Sequence, residues 1–501
     1  MSKLTERRKQ HYTLLTGATG LVGRYLLKDF LSENIRLAVV VRNSRKAAAA
    51  ARIDRICEFW ERQLQRALPR PVCLTGDIRL ENMGLSTEDA QWVDSNCGTC
   101  FHNAAILKFC SAPRDQEPWV TNLDGTRNLI HFCEKMGISD FHYVSTAYVC
   151  GDRNDLIQEG ELNCGQEFRN DYEYSKFLGE QLVQESTHLK KKTIYRPAII
   201  TADSKTGYTT TYHGLHLYLR LMSLLVPQVK QDANGIRQTK ISLPMTGEEK
   251  RNIVTVDWVS KVMTELFLNE NAHGHTFHLS PTSKLTPKAI IDYCCEYFAS
   301  GGVEFVGNKR GVTENQSTFE ENFLGNVGVY SSYDRSDPSF DTENLKRFAG
   351  HIPCPEIDKQ TVHRFLEFGE ADRWGKKKET ETVAEFPVNQ HTDQLKRLAV
   401  ELNGLLSENS SQENGTSELG FDVVGVGGGQ WCYDSKGGHL LRGLPADPNS
   451  SVVRITSKTL WQILSDRMST TRDELAKDHD VLGTLGDYRS LISFVDAETY
   501  H

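Results

Sequence analysis

Short apolar runs alternate with helix-like stretches along the first 300 residues of the chain. A short continuous apolar run is typical of a strand buried on both faces, whereas apolar positions three and four apart indicate a helix with one buried face. The runs predict strands at Tyr12–Thr16, Arg36–Val41, Val72–Thr75, Thr99–His102, Phe141–Ser145 and Thr193–Tyr195. The intervening stretches predict helices at Leu21–Leu31, Ala47–Leu68, Val120–Lys135 and Tyr172–Glu185. This alternation predicts an α/β fold with a doubly wound parallel sheet covered by helices on both faces.

The alternation weakens after about residue 200, where a loop-rich region extends to Arg251. Three further elements are predicted: a helix that has Asp257 as its N-cap and ends at Leu268, a strand at His275–Leu279, and a helix at Thr286–Tyr297. Residues 301–375 show no regular pattern and are expected to be irregular. We therefore expect a first domain at 1–375, with a smaller lobe at about 201–252 and 275–375 that lies over the sheet and holds a substrate.

A different pattern begins after residues 376–391, which are highly charged, contain a proline and are typical of an interdomain linker. The elements predicted beyond it are an amphipathic helix at Asp393–Leu406, strands at Phe421–Val426, Gln430–Tyr433 and Ser451–Thr456, and a helix at Ser457–Met468. The glycines between the first two of these strands predict a hairpin or a bulge. Residues 392–501 are therefore expected to form a separate small α+β domain.

Composition narrows the range of partners. The chain has 39% hydrophobic residues, and 58 Lys and Arg against 66 Asp and Glu, which argues against a nucleic-acid partner. Its longest apolar run, Leu215–Val229, is interrupted by Arg220 and Ser223, so we expect no integral membrane segment and interpret the run as a core helix or an apolar lid touching lipid. Twelve scattered cysteines and a charged N-terminus without an apolar signal core predict a cytoplasmic protein. Transient membrane contact and oligomeric state stay open.

The segment TGATGLVG, residues 16–23, follows the first predicted strand and opens the first predicted helix. Glycines at 17, 20 and 23 permit a tight turn, a close approach of the backbone to a pyrophosphate, and close helix–strand packing. This context predicts a Rossmann-type dinucleotide site. Its expected contacts in this segment are Gly17, Thr19, Gly20, Leu21, Val22 and Gly23.

The end of the second predicted strand bears on the choice of cofactor. Arg42 stands where an NAD-selective site usually carries an acidic residue, and Arg45 follows closely. A guanidinium matches a 2′-phosphate, so NADP(H) is preferred over NAD(H); the alternative is a solvated arginine at a strand end. Four residues after the next strands complete the expected cofactor contacts: Asp77, Ile78, Asn103 and Ala104.

Two further segments carry candidate chemistry. Ser145 and Thr146 end the fifth predicted strand, and Tyr172 and Lys176 lie four residues apart on the helix that follows. This spacing places the phenol and the ammonium on one helical face, where the ammonium favours the phenolate. A lone Tyr-x-x-x-Lys is more often an ordinary helix face, but its combination with the glycine turn indicates a nicotinamide-dependent enzyme.

Together these segments resemble the extended short-chain dehydrogenase/reductase superfamily, and within it the thioester-reductase and fatty acyl-CoA reductase branch, the "male sterility" type. The likeness spans about residues 10–375 and is carried by TGATGLVGRYLL, TGDI, FHNAAILKF, NLDGTRNLI, HYVSTAYVCGD, DYEYSKFLGEQLV and IYRPAIITADSKTG. It implies that Tyr172 donates a proton, Lys176 assists it and Thr146 binds the carbonyl, with Ser145 as the alternative to Thr146. It also implies that Lys176 and Pro197 contact the cofactor.

The resemblance implies NADPH-dependent reduction of a lipophilic carbonyl, most simply a fatty acyl thioester on CoA or a carrier protein that is converted to an aldehyde. Two alternatives stay open: an oxidoreductase or epimerase of lipid or sterol-like ketones and alcohols, and a non-catalytic NADP(H)-dependent lipid carrier or sensor. Cys110 and Cys150 lie near the predicted site but are interpreted as core or cavity-wall residues, because this chemistry needs no cysteine.

The second domain carries little chemistry of its own. Residues 421–496 resemble a sterol-carrier-protein-type lipid-binding domain, and the alternative is a small dimerisation or packing domain. Elsewhere, Cys97 and Cys100 have the spacing of a metal-binding pair, but no second pair accompanies them, so no metal is expected.

Overall fold

A computed structural model describes residues 12–109, 111–307, 335–377, 392–396, 398–400, 418–447 and 450–465 of the chain. Most of the predicted linker and Cys110 lie outside these residues. So do the last residues of the helices predicted at Asp393–Leu406 and Ser457–Met468, and the remainder of the second domain from residue 466 onward.

The strands, in chain order, are β1 (Tyr12–Thr16), β2 (Leu37–Val41), β3 (Val72–Thr75), β4 (Cys97–His102), β5 (Asp140–Val144), β6 (Leu156–Ile157), β7 (Lys191–Pro197), β8 (Ile199–Thr201), β9 (Arg237–Leu243), β10 (Ile253–Thr255), β11 (Thr276–Leu279), β12 (Ser300–Phe305), β13 (Ser339–Phe340), β14 (Glu418–Val424), β15 (Gly429–Asp434), β16 (His439–Arg442) and β17 (Ser451–Thr456). The α-helices are α1 (Leu21–Ser32), α2 (Ala49–Leu64), α3 (Thr87–Asn96), α4 (Thr126–Lys135), α5 (Asp171–Glu185), α6 (Leu215–Leu225), α7 (Val256–Leu268), α8 (Pro287–Phe298), α9 (Glu343–Ala349), α10 (Lys359–Ala371) and α11 (Ser457–Ser465). Residues 392–396 and 398–400 are also helical.

The main sheet contains seven parallel strands in the order β11-β7-β5-β4-β1-β2-β3. Strands β1 and β2 are buried at every position, as expected for strands covered on both faces. Helices α1, α2 and α7 cover one face, and α3, α4 and α5 cover the other. The prediction of a doubly wound parallel sheet is therefore confirmed.

The first six predicted strands are all present, with ends that differ from the prediction by at most two residues. Two predicted helices were wrong in detail. Helix α2 begins at Ala49 and ends at Leu64, because Gln65 adopts a left-handed conformation at φ +54°. The helix predicted at Val120–Lys135 begins with a π-helical segment, Val120–Gly125, in which the Asn122 side chain bonds to backbone outside the helix.

The smaller lobe contains more regular structure than the sequence predicts. It pairs β8 with β10 and β9 with β12, and packs α6, α8 and α10 around them. Residues 301–375 are therefore not irregular throughout, since the described part of that range includes α9 and α10. Strand β11 belongs to the main sheet and not to the lobe.

Two further predictions about this region can be settled. Asp257 is not an N-cap: α7 begins one residue earlier, and the Asp257 carboxylate instead accepts hydrogen bonds from the backbone N–H (2.9 Å) and hydroxyl (2.7 Å) of Ser204. In α6, Leu219 and Met222 are buried, so this helix is part of the lobe core. Among the described helices, none is both long enough and apolar enough to cross a membrane.

The second domain forms a four-stranded sheet in the order β16-β15-β14-β17. Strands β14 and β15 form the predicted hairpin around the glycines, β17 pairs parallel with β14, and β16 was not predicted. Leu395 and Leu398 from the preceding helical residues share its core with Phe421 and Leu460. The resemblance to a sterol-carrier-protein domain stays a prediction.

This second sheet contacts the main sheet near the amino end of β1. The Tyr12 hydroxyl donates to Gln430 Oε1 (2.7 Å) and accepts from the backbone N–H of Leu444 (2.8 Å). Trp92 Nε1 donates to the Arg442 carbonyl oxygen (2.8 Å). The contact therefore lies at the opposite end of β1 from the glycine turn.

Candidate active site

The turn between β1 and α1 is close-packed against its surroundings. Gly17 has φ +76°, and a Cβ added there would lie 2.6 Å from the backbone nitrogen of Ala104. A Cβ at Gly23 would lie 2.0 Å from the carbonyl oxygen of Gly17. The backbone of the helix therefore packs directly against the backbone of the turn. At Gly20 the nearest atom would be 3.6 Å away, and no side chain caps the helix here. The amino end of α1 is thus open to an anion.

One cavity of about 1200 Å³ extends from this turn along the carboxyl ends of the main-sheet strands and under the smaller lobe. Ligands of open α/β sheets bind at this edge. The predicted cofactor residues that line it are Gly17, Thr19, Gly20, Leu21, Val22, Arg42, Asp77, Ile78, Asn103, Ala104, Lys176 and Pro197. Gly23 is not among the lining residues and instead packs behind the turn.

Two arginines line the cavity after β2. Arg42 is the predicted one, and Arg52 of α2 donates from Nη1 to the Arg42 carbonyl oxygen at 2.6 Å. Arg45 does not line the cavity. Arg52 was missed because it lies within the predicted helix, where nothing in the sequence distinguishes it from its neighbour Arg55.

Asp77 is already engaged by cations. Its carboxylate accepts hydrogen bonds from Arg79 Nη2 (2.7 Å) and lies 3.7 Å from Arg42 Nη1. Burial raises the pKa of Asp77, but the hydrogen bonds from Arg79 outweigh burial and hold that pKa below its usual value. The group is therefore ionised, and its interaction with Arg79 competes with the predicted contact to the cofactor.

Tyr172 and Thr146 meet at the wall of the cavity. Tyr172 lies in the first turn of α5, whose N-cap Asn170 accepts from the backbone N–H of Glu173 (3.0 Å). Burial raises the pKa of the Tyr172 phenol to about 12, the Glu173 carboxylate adds to this rise, and a hydrogen bond from Thr146 opposes it. Thr146 also accepts from the backbone N–H of Tyr148 (3.3 Å), which orients its side chain.

Lys176 lies one helical turn beyond Tyr172 and is almost completely buried. Its Nζ donates to the carbonyl oxygen of Val144 (2.8 Å) and lies 4.2 Å from the centre of the Tyr143 ring. Burial lowers the pKa of Lys176 to about 7, and the Glu180 carboxylate only partly opposes this. The lysine is thus held rigidly where a small change in its surroundings changes its charge.

Ser145 and Thr146 both line the cavity, but their environments differ. The backbone N–H of Ser145 donates to the Tyr195 carbonyl oxygen (2.7 Å), while its buried hydroxyl has no hydrogen-bond partner. Of these two residues, Thr146 is the one whose side chain forms a hydrogen bond with Tyr172. This arrangement favours Thr146 over Ser145 as the hydroxyl that acts with the phenol.

Asn122 connects the cavity wall to α5. Its Oδ1 accepts from the Ile106 backbone N–H (2.8 Å), and its Nδ2 donates to the Ile106 carbonyl oxygen and to Ser175 Oγ, both at 3.0 Å. Ser175 precedes Lys176 on α5. The Asn122 side-chain amide therefore fixes the cavity-lining loop at Ile106 relative to α5.

The far end of the cavity is mainly apolar. Its lining there includes Ile199, Leu215, Leu243, Met245, Ile253, Ile290 and Ile291. Two charged residues interrupt it, but Arg251 Nη1 lies 3.4 Å from Asp337 Oδ1, and the Tyr148 hydroxyl donates to Asp337 Oδ2 (2.7 Å). Cys150 is a core residue, and burial raises the pKa of its thiol to about 12, so it is not a nucleophile.

Known proteins resemble this chain in sequence and in fold. Residues 15–263 match the model of the family described as "Male sterility protein". A Drosophila melanogaster protein provisionally named a fatty acyl-CoA reductase is 27% identical over 251 residues, which is 42% of this chain and 48% of that protein. The isonitrile lipopeptide synthase of Streptomyces coeruleorubidus is 28% identical over 71% of this chain and 24% of its own length. The chain thus matches about half the length of the first relative and about a quarter of the second.

A solved structure, the terminal R domain from the myxalamid PKS-NRPS biosynthetic pathway, superimposes with a TM-score of 0.59 at 22% identity, over 74% of this chain and 93% of that domain. The fold and the matched family model indicate a domain of the extended short-chain dehydrogenase/reductase superfamily. Residues 15–263 belong to its male sterility family and form a thioester-reductase-like NAD(P)-binding domain.

Proposed function

We propose that the chain is an NADPH-dependent reductase that converts a lipophilic thioester, such as a fatty acyl-CoA, to an aldehyde. The observation that carries this proposal is the continuity of the cavity. A single space joins the glycine turn, the Tyr172 and Thr146 hydroxyls, and the apolar wall under the smaller lobe. A cofactor and a long apolar substrate can therefore meet at the phenol.

The residues fit a phosphorylated dinucleotide. The uncapped amino end of α1 offers backbone N–H groups, and Gly17 and Gly20 leave room for a pyrophosphate. Arg42 and Arg52 together supply guanidinium groups for a 2′-phosphate, which supports NADPH over NADH. When bound, the reduced cofactor supplies a hydride to the carbonyl carbon of the substrate.

The side chains of the site supply the proton and the orientation. Tyr172 donates its phenolic proton to the carbonyl oxygen as negative charge develops there, and Thr146 donates a hydrogen bond to the same oxygen. The charged form of Lys176 favours the resulting phenolate. Collapse of the hemithioacetal returns the hydroxyl proton to Tyr172, breaks the carbon–sulfur bond and leaves the aldehyde. The departing sulfur takes one proton from solvent and leaves as a thiol.

The wall under the smaller lobe supports a lipophilic substrate. Its aliphatic side chains favour an acyl chain by removing apolar surface from water. The guanidinium of Arg251 is neutralised by Asp337, so it attracts a substrate carboxylate only weakly. Cytoplasmic location and the domain boundaries at 1–375 and 392–501 remain part of this proposal.

The test is NADPH consumption by the purified chain with long-chain acyl-CoA, beside a panel of lipid ketones and sterols, with product analysis. Consumption with acyl-CoA and formation of the aldehyde are expected. Turnover with ketones or sterols alone would instead establish the oxidoreductase alternative. Bound NADPH without turnover of any carbonyl would overturn the proposal in favour of a lipid carrier or sensor.

A further inference from the structure

Three side chains meet at the amino end of the main sheet, on the opposite side from the cavity. Asp140 is the first residue of β5, His142 follows it on the same strand, and His273 lies in the loop between α7 and β11. His142 Nε2 is 3.4 Å from Asp140 Oδ1, and His273 Nδ1 is 3.2 Å from Asp140 Oδ2. The three groups offer donor atoms within 4.8 Å of one another.

Each imidazole ring is held in place by a contact at the nitrogen that faces away from the cluster. His273 Nε2 contacts the carbonyl oxygen of Phe267 at 2.8 Å, and because a carbonyl only accepts, this nitrogen carries the proton. Asp140 Oδ2 accepts a hydrogen bond from His273 Nδ1 at 3.2 Å, so a metal ion bound at Nδ1 would replace that proton. His142 Nδ1 contacts the Tyr195 hydroxyl at 2.9 Å, so its Nε2 also faces the centre of the cluster. Metal-binding histidines are commonly oriented in this way by a partner on the other nitrogen.

Two of the inward-facing atoms lack a hydrogen bond of good geometry. The His142 side chain is fully buried, and neither its Nε2 nor Asp140 Oδ1 has a hydrogen-bond partner. Buried polar atoms are rarely left unpaired, because they lose their bonds to water without replacement. These two atoms lie 3.4 Å apart, so one ion bound to both would satisfy them together.

We propose that Asp140, His142 and His273 bind a Zn²⁺ ion, with water as the fourth ligand. Bonds of about 2.0–2.1 Å in a tetrahedron separate the ligand atoms by about 3.3 Å, close to the two distances that the cluster shows. Two imidazoles and a carboxylate suit zinc among the common divalent ions. Asp140 is 21% exposed at its side chain, which leaves a path for the ion and its water.

The position of the cluster indicates a structural role. The ion would join the loop after α7 to the first residue of β5. It would thereby fix this loop to the amino end of the main sheet. The glycine turn and Tyr172 lie at the other end of the strands. Zinc is therefore expected to raise thermal stability and to leave the turnover number unchanged. This inference does not depend on the proposed function.

The test uses the purified full chain, stripped with a chelator, incubated with ZnCl₂ and desalted before metal analysis. One zinc per chain is expected, with a higher melting temperature, because an ion that binds only the folded state stabilises it. His273→Gln and Asp140→Asn should each abolish both effects. The matched control is His275→Gln, which makes the same change two residues away at a histidine that stacks on Phe348, and it should retain the zinc.

Cobalt distinguishes this cluster from cysteine sites elsewhere on the chain. Co²⁺ bound here should show visible d–d bands without the charge-transfer band of a thiolate ligand. Equal zinc binding by wild type and His273→Gln, or a thiolate band in the cobalt form, would overturn the proposal. Absence of zinc from the wild-type chain would also overturn it, and would leave a proton shared between His273 and Asp140. If His273→Gln does not fold, Asp140→Asn decides the question, because it preserves the side-chain shape.

Discussion

At the scale of single residues, two tyrosines of one helix turn have different surroundings. Tyr172 lines the cavity beside Thr146, whereas Tyr174 stacks on Phe168 with ring centroids 4.9 Å apart. We expect Tyr172→Phe to lower kcat by about 10²- to 10⁴-fold, because the proton donor is lost while the ring remains. Steady-state kinetics with a separate NADPH-binding titration measure this, and cofactor affinity should hardly change. Tyr174→Phe is the control, and a similar loss in both variants would contradict the assignment.

The pKa of Lys176 makes a prediction about folding. Burial lowers that pKa to about 7 from its usual value of 10.5, so between these two values the unfolded chain binds a proton that the folded chain does not. Folding stability therefore rises with pH in this window, and the full penalty persists below pH 7. Relative to Lys176→Met, the free energy of unfolding of the wild type should rise between pH 7 and 9 by up to about 1.4 kcal/mol per pH unit. Urea denaturation at several pH values measures this free energy. If the pH profiles of the wild type and of Lys176→Met run parallel, the Lys176 ammonium stays charged in the folded chain, which would contradict the prediction.

Arg52 and Arg55 provide a matched pair for testing the proposed preference for NADPH over NADH. Arg52 lines the cavity and Arg55, on the same helix, does not. We expect Arg52→Ala to raise the KM for NADPH about tenfold or more, because a charge-assisted contact worth about 1.5–3 kcal/mol is lost. The KM for NADH and both kcat values should stay the same. Arg55→Ala is the matched control, and an equal rise for both cofactors would mean that Arg52 does not contact the 2′-phosphate.

The sequence predicts the site residues that lie in short motifs and misses those brought in from elsewhere. Tyr172, Lys176 and the glycines are set by local spacing, which is visible in one segment of the chain. Asp337 contacts Tyr148 across 189 positions, and such a contact leaves no periodic pattern in the sequence. The preference for Thr146 over Ser145 likewise comes only from what each hydroxyl contacts in the structure.

At the scale of elements, the unit of β1, turn and α1 depends on Gly23 far more than on Gly20. A Cβ at Gly23 would overlap the Gly17 backbone at 2.0 Å, which no side-chain movement relieves. Gly23→Ala should therefore cost about 1–3 kcal/mol or more of stability. Gly20→Ala should cost little, because its nearest contact would be 3.6 Å away and its φ of −76° suits alanine. Thermal unfolding without nucleotide tests the pair, and equal losses would contradict the geometry.

The elements of the main sheet were predicted well because their strands are buried on both faces. Continuous apolar runs such as β2 leave a clear pattern, and their ends were accurate to within two residues. The π-helical segment at Val120–Gly125 and the true contacts of Asp257 depend on partners distant in sequence. Strand β16 is short and only partly buried, so its sequence lacks a distinctive apolar pattern.

At the scale of the whole molecule, the two sheets are joined at a site remote from the chemistry. The Tyr12 hydroxyl makes two hydrogen bonds to the second domain. Tyr12→Phe should destabilise the contact by about 1–3 kcal/mol, because Gln430 Oε1 and the Leu444 N–H lose a buried partner. Limited proteolysis should then cleave the second domain faster, while kcat stays unchanged. A fall in kcat without faster cleavage would show that this contact acts on the active site.

Along the chain, the cavity residues fall into two consecutive segments, one beside the proposed cofactor site and one that forms the apolar wall. The residues proposed to hold the cofactor and to act on the substrate lie between Thr16 and Pro197, and most of the apolar wall comes from Ile199 onward. Substitutions in the segment from Ile199 onward can therefore alter the apolar wall without changing the residues before Pro197. We therefore expect a chimaera that exchanges the later segment to change substrate choice while the cofactor site stays intact.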